Sequence, residues 1–216
     1  MTSERSWLDK VIMTLLSDCR ILVPAPRHRP YVSGDSLDHA FPFVWVVRGV
    51  FSHQECRELI DRIETIGPEA APITTASGFV HDERVRNNTR VMFDDHALAG
   101  RFFENVRPFV PRRLSDMEVC GANERWRCYR YDAGQYFAPH FDGAFRRSPT
   151  EESLLTAIVY LDEGCRGGRT SFPTFGVEVA PEAGAVLLFQ HRLLHASTPV
   201  TKGRKYAARS DIMYRR

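Results

Sequence analysis

The sequence predicts a mainly β domain with supporting helices, an α+β arrangement with a barrel or sandwich in its C-terminal half. Two observations carry this. From Arg125 onward, short apolar runs alternate with Gly, Pro and Asp turns at the regular spacing of an all-β unit. Before Arg125, two segments show helical periodicity. No helical stretch separates the later strands, which disfavours a parallel α/β sheet.

The elements follow in order. Trp7, Val11, Leu15 and Leu16 fall at helical spacing and predict an amphipathic first helix. Residues 24–42, rich in Pro, His and Arg, read as an irregular lead-in arm. Residues 1–42 are therefore expected to be helix and arm, and 43–216 the folded domain. Phe43–Val50 is a strand candidate, with Val44, Trp45, Val46 and Val47. Ser52 then caps a helix, with Glu55 as its capping-box partner, Cys56, Leu59, Ile60 and Ile63 as its apolar stripe, and Gly67 as its stop. A second helix starts near Asp95, shows Leu98, Phe102, Phe103 and Val106 on one face, and is closed by Pro108 and Pro111. The strands expected after it are Trp126–Tyr131, Leu154–Leu161, Thr170–Phe172, Val177–Val179, Ala185–Phe189 and Tyr206–Tyr214.

Composition sets limits. With 216 residues, 43% hydrophobic and 26% charged, the chain suits one folded domain. A formal net charge of +2 does not argue for nucleic acid or a membrane surface, and no apolar run approaches a membrane span. The apolar stretch Val11–Leu16, broken by Thr14, does not read as a signal peptide. Five cysteines, none two residues from another, indicate neither a disulfide framework nor a CxxC site; the expectation is a reducing cytoplasm.

The chemistry gathers late in the chain. His140-Phe141-Asp142 places two metal-ligating side chains on one side of an extended segment. An H-x-D pair alone is weak evidence, but a second histidine from a distant strand would complete a facial 2-His-1-carboxylate set, the arrangement of non-haem Fe(II). Gln190-His191-Arg192-Leu193-Leu194-His195 offers two candidates, and the Pro199-Val200 and Gly203-Arg204-Lys205-Tyr206 that follow favour His195. His191 reads as structural, behind the ligands.

The runs RYDAGQYFAPHFDG, GGRTSF, PEAGAVLLF and HASTPVTKGRKY resemble, in order as well as content, the prolyl 4-hydroxylase branch of the 2-oxoglutarate/Fe(II)-dependent oxygenases. The close resemblance covers the last 90 residues or so, and a looser one reaches back to Phe51. It implies a double-stranded β-helix (jelly-roll) core. It implies His140, Asp142 and His195 as iron ligands, and Lys205 as the partner of the distal carboxylate of 2-oxoglutarate. Tyr131, Tyr160 and Thr170 would line that cosubstrate pocket. The implied set is Fe(II), with 2-oxoglutarate and O₂ as cosubstrates and ascorbate as an accessory. The implied reaction is hydroxylation of an unactivated C–H bond coupled to conversion of 2-oxoglutarate to succinate and CO₂. Peptidyl-proline is the first substrate expected, and a free amino acid or other small molecule the alternative.

The strand after Lys205 departs from the branch. Tyr206 stands where collagen-type hydroxylases have tryptophan. Alternation puts Arg209 and Asp211 on the face of Lys205, so Arg209 is expected at the cosubstrate and Asp211 at the substrate. Upstream, Arg86, Asn88 and Arg90 are assigned to substrate contact, with a solvated charged turn as the rival reading. Nucleotide demethylation is disfavoured, because Arg204 and Arg209 are one residue too close for that branch's arginine pattern. A metal-binding jelly-roll sensor without turnover would need no carboxylate-pairing lysine.

Overall fold

The computed structural model describes residues 18–25, 37–75 and 78–216. The helix expected around Trp7–Leu16 lies outside them. Helix α1 (His53–Ile66) starts where its signals stand: Ser52 Oγ accepts the Glu55 N–H, and Glu55 returns a carboxylate to the Ser52 N–H at 2.8 Å. Helix α2 (His96–Val106) is capped by Asp95, whose carboxylate accepts the Leu98 N–H. Both bury one face. Cys56, Leu59 and Ile63 from α1, and Leu98, Phe102 and Val106 from α2, share a core with Trp126 and Val159. Each large apolar side chain contributes ~2 kcal/mol relative to exposure.

The strands that frame the site are β1 (Cys19–Val23), β2 (Val44–Val47), β3 (Thr89–Asp94), β4 (Met117–Ala122), β5 (Arg125–Tyr131) and β6 (Phe137–His140). They continue with β7 (Glu151–Tyr160), β8 (Thr170–Phe172), β9 (Val177–Val179), β10 (Val186–Gln190), β11 (His195–Ser197) and β12 (Lys205–Arg215). An 11-stranded sheet runs β1-β2-β10-β7-β12-β5-β3, ending in the short strand Glu69–Ala70; β4 joins it beside the C-terminal half of β12. A four-stranded sheet, β6-β11-β8-β9, faces it. Every pairing is antiparallel, and the two sheets close on a second core that includes Tyr160, Phe172, Leu187 and Phe189. This is the jelly-roll layout.

The N-terminal half supplies more than bracing helices and one strand. β1, β3 and β4 also belong to the large sheet. β1 lies inside the stretch expected to be helix and arm, and pairs with β2. β3 was hidden because arginine and aspartate flank its Val91-Met92-Phe93 centre. β7 begins at Glu151 rather than Leu154, because Glu151 is buried and held by Arg147 and Arg215.

One irregularity positions the site. Between β6 and β11 the register pairs Phe137 with Ser197 and His140 with His195, so β6 carries one extra residue. Pro139 sits within this bulge and cannot donate to the ladder. The bulge turns His140 onto the side of Phe137, and the two rings stack with centroids 3.5 Å apart.

Candidate metal centre and active-site cleft

Across the bulge, His140 and His195 face each other from neighbouring strands, and Asp142 follows two residues after His140. One ligating atom from each lies within 4.8 Å of the others. His140 Nδ1 lies 2.8 Å from the Ala138 carbonyl, and His195 Nδ1 lies 2.9 Å from the Leu193 carbonyl. A carbonyl can only accept, so both rings carry the proton on Nδ1 and turn an Nε2 lone pair to the centre. Burial lowers both imidazoles, that of His140 to about 3, so both are neutral at pH 7. Burial by itself would raise Asp142, but the charge of Arg209 holds its carboxyl well below the usual range. Two neutral imidazoles and one carboxylate are the donor set that suits Fe(II).

Asp142 is fixed from behind on both oxygens. Arg209 donates to Oδ1, and Thr156 Oγ1 donates to Oδ2 at 2.9 Å. Thr156 in turn meets His191 Nδ1 at 3.1 Å, His191 Nε2 meets Ser153 Oγ at 2.7 Å, and the Phe145 N–H donates to Ser153. The carboxylate end sets the direction there: Asp142 only accepts, so Thr156 donates to it and accepts the proton on His191 Nδ1. Burial lowers the His191 imidazole to about 4, so the ring is neutral. Sequence reading placed His191 behind the ligands but had no signal for Thr156 or Ser153.

Lys205 lies in the same cleft, buried. Its Nζ donates to Ser197 Oγ at 2.9 Å and sits 5.0 Å from the ring centre of Tyr131 and 5.8 Å from that of Tyr160. Tyr160 donates to Thr170 Oγ1 at 2.7 Å. No carboxylate among the described residues forms an ion pair with Lys205, and burial pulls its ammonium down to about 8. A buried cation short of a counter-charge is what a dicarboxylate cosubstrate fits.

His140, Asp142, His195, Tyr131, Thr170, Lys205 and Arg209 thus line one cleft, with Tyr160 directly behind Thr170. Tyr129, Phe137, Ile158 and Ser197 line it too and were not anticipated. Alternation offered a signal for three of them: Tyr129 precedes Tyr131 by two, Ser197 follows His195 by two, and Ile158 precedes Tyr160 by two.

Other expectations are corrected. Asp211 is fully buried, pairing Arg209 and Arg127, and does not line the cleft. Arg209 turns to Asp142 and Asp211, so a share in the cosubstrate carboxylate gives way to holding a ligand. Tyr206 faces the other way, donating to Glu64 of α1 at 2.7 Å, so its departure from tryptophan does not touch the cleft. Arg86 and Asn88 are buried against each other, and Arg86 lies 4.0 Å above the Phe137 ring, which rules out a solvated turn at these two residues. Arg90 lies on β3 opposite Tyr129 and is not itself among the cleft-lining residues.

Fold and site define a class, a jelly roll with a facial His-Asp-His set and a buried lysine. The comparisons then narrow it. The family model described as 2OG-Fe(II) oxygenase superfamily matches residues 126–210. Probable prolyl 4-hydroxylase 3 of Arabidopsis thaliana is 24% identical over 200 residues, 77% of this chain and 68% of that one. Prolyl 4-hydroxylase subunit alpha-1 of Rattus norvegicus is 28% identical over 111 residues, covering 44% and 21%. Among solved structures, the viral collagen prolyl hydroxylase of Paramecium Bursaria Chlorella virus-1, in its 2-oxoglutarate complex, superposes with a TM-score of 0.58 at 26% identity, over 79% of this chain and 96% of that one. A prolyl hydroxylase from Trichoplax adhaerens, in complex with a hypoxia inducible factor peptide fragment, gives 0.62 at 16% identity over 78% and 82%, a likeness of fold. The match over residues 126–210, with these relatives and structures, supports a 2-oxoglutarate/Fe(II)-dependent oxygenase of the prolyl 4-hydroxylase-like kind. The chain is an enzyme whose cofactors are Fe(II) and 2-oxoglutarate.

Proposed function

We propose that this oxygenase hydroxylates an unactivated C–H bond, with a prolyl residue of a peptide as the first substrate class. The reading rests above all on Lys205, a buried cation that forms no ion pair with a carboxylate among the described residues, in the cleft that holds the His-Asp-His set. His140 and His195 would each give iron an Nε2 lone pair, and Asp142 one oxygen. Lys205 and Ser197 would hold the distal carboxylate of 2-oxoglutarate, with Tyr131, Tyr160 and Thr170 shaping its pocket. Ile158 and Ala207 keep that part of the cleft apolar and exclude water. When bound, iron with 2-oxoglutarate and O₂ supplies the oxidising power for hydroxylation, as 2-oxoglutarate is converted to succinate and CO₂. The named substrates of the relatives support proline as the target. All five thiols are free, which supports a cytoplasmic setting.

Anaerobic protein with Fe(II) and 2-oxoglutarate should show a weak visible charge-transfer band, and prolyl peptides should stimulate succinate formation. Lys205→Ala should raise the KM for 2-oxoglutarate ~100-fold or more while iron still binds, because a buried hydrogen-bonded charge pair is worth several kcal/mol. Unchanged 2-oxoglutarate affinity in that variant would sink the assignment.

A further inference from the structure

Antiparallel register lays the inner face of the large sheet out in rows. One row reads Arg90, Tyr129, Ala207, Tyr160 across β3, β5, β12 and β7. The next reads Met92, Arg127, Arg209, Ile158. Tyr129, Ala207, Arg209 and Ile158 line the cleft, so Arg90 and Arg127 extend that surface to its rim.

The charges along these rows do not balance. Arg209 holds Asp142 and Asp211, and Arg127 holds Asp211 from the other side. Arg86 bonds only to neutral Asn88 and stacks on Phe137. The Arg90 side chain makes no hydrogen bond or ion pair among the described residues, although its strand neighbours half-bury it. Burial lowers its guanidinium below the ordinary value, Tyr129 opposes the fall, and Arg86 and Arg127 add to it. Three guanidinium groups thus crowd one rim, and two of them make no ion pair among the described residues, although the exposed Glu69 stands opposite Arg90 across the ladder. Bound iron and 2-oxoglutarate cancel in charge and leave this excess in place.

We propose that Arg90, with Arg127 beside it, is a subsite for a carboxylate of the substrate. This rests on the hydroxylase reading above and names the substrate class within it: a prolyl compound carrying a carboxylate close to the reacting ring. One unpaired guanidinium fork matches one planar monoanion. Arg90 lies two strand spacings, ~10 Å, from Ala207 at the cleft floor. A carboxylate on the prolyl residue itself, or on the residue next to it, spans that distance.

The test uses anaerobic protein loaded with Fe(II) and 2-oxoglutarate, and calorimetry on two matched probe pairs. One pair is N-acetylproline and N-acetylprolinamide. The other is N-acetylprolylglutamic acid α-amide, with its side-chain carboxylate free, and its glutamine counterpart. One acidic member should bind at least tenfold tighter than its neutral twin, and which pair discriminates identifies the source of the carboxylate. Arg90→Gln should bring the ratio within twofold, Arg90→Lys should keep part of it, and rising salt should shrink it in the native protein. The proposal is overturned if neither pair discriminates, if no probe binds, or if Arg90→Gln leaves the ratio intact. It is equally overturned if a phosphoserine analogue binds tighter than both carboxylates. The charge-transfer band reports separately on the hydroxylase reading. A missing band would count against that reading, while the calorimetric ratio would still judge the subsite.

Discussion

Asp142 shows how side chains several layers deep hold one ligand. The chain from the Phe145 amide through Ser153, His191 and Thr156 reaches Oδ2, and Arg209 reaches Oδ1. Thr156→Val removes a donor without changing shape much. It should cost ~1–3 kcal/mol of stability and ~10–100-fold in iron affinity, read by denaturant unfolding and competitive metal titration. A loss of stability with iron affinity intact would mean that Thr156 only packs. Lys205 carries a pH prediction. Its free-protein ammonium titrates at about 8, and only the charged form pairs with a carboxylate. Affinity for 2-oxoglutarate should be level below pH 8 and fall roughly tenfold per unit above it, checked by titration between pH 6.5 and 9.5. At this scale the ligands and the lysine were legible, because each stands in a local run. The chain behind Asp142 was not, since Thr156 and His191 are 35 residues apart and meet only through β7–β10 pairing.

The elements were legible where their signals are local. Ser52 and Glu55 start α1, Asp95 starts α2, and Thr170–Phe172 and Val177–Val179 have the bounds expected. The β6 bulge left no such trace, because Pro139 reads equally as a turn or a strand end. Turn geometry gives a further prediction. Gly184 has φ +79°, and an added Cβ would lie 2.1 Å from the Phe51 carbonyl oxygen, where the loop before α1 meets the start of β10. Gly184→Ala should lower the melting temperature clearly, by more than the ~1 kcal/mol typical of point substitutions. Gly100→Ala, inside α2 with open space around its Cβ, should instead stabilise by ~0.4–1 kcal/mol in the same thermal unfolding experiment.

For the molecule as a whole, the regular strand spacing predicted a mainly β domain, and the motif order predicted the jelly roll. Among the extra strands, β3 and β4 were missed because charged residues interrupt their apolar runs, and β1 because it lies between stretches read as helix and arm. A cleft assembled from both sheets ties ligand binding to global stability. Metal and 2-oxoglutarate bind only the folded state, so a ligand at one hundred times its Kd should add ~2.7 kcal/mol. Thermal unfolding should rise with a divalent metal and again with 2-oxoglutarate. Lys205→Ala should keep the first increment and lose the second.

The facing of His140 and His195 across the bulge also bears on how long the protein survives. The two strands that carry them have only four and three residues, and few backbone bonds join them. An ion gripped by both would act as a clasp, closing the seam that hydrogen bonds alone close weakly. Without it, that seam is the first place to open, and its amides should exchange with deuterium well ahead of those in β7 and β12. Iron scarcity would then do more than idle the enzyme: it would expose the chain between Phe137 and Ser148 to proteases and shorten its lifetime.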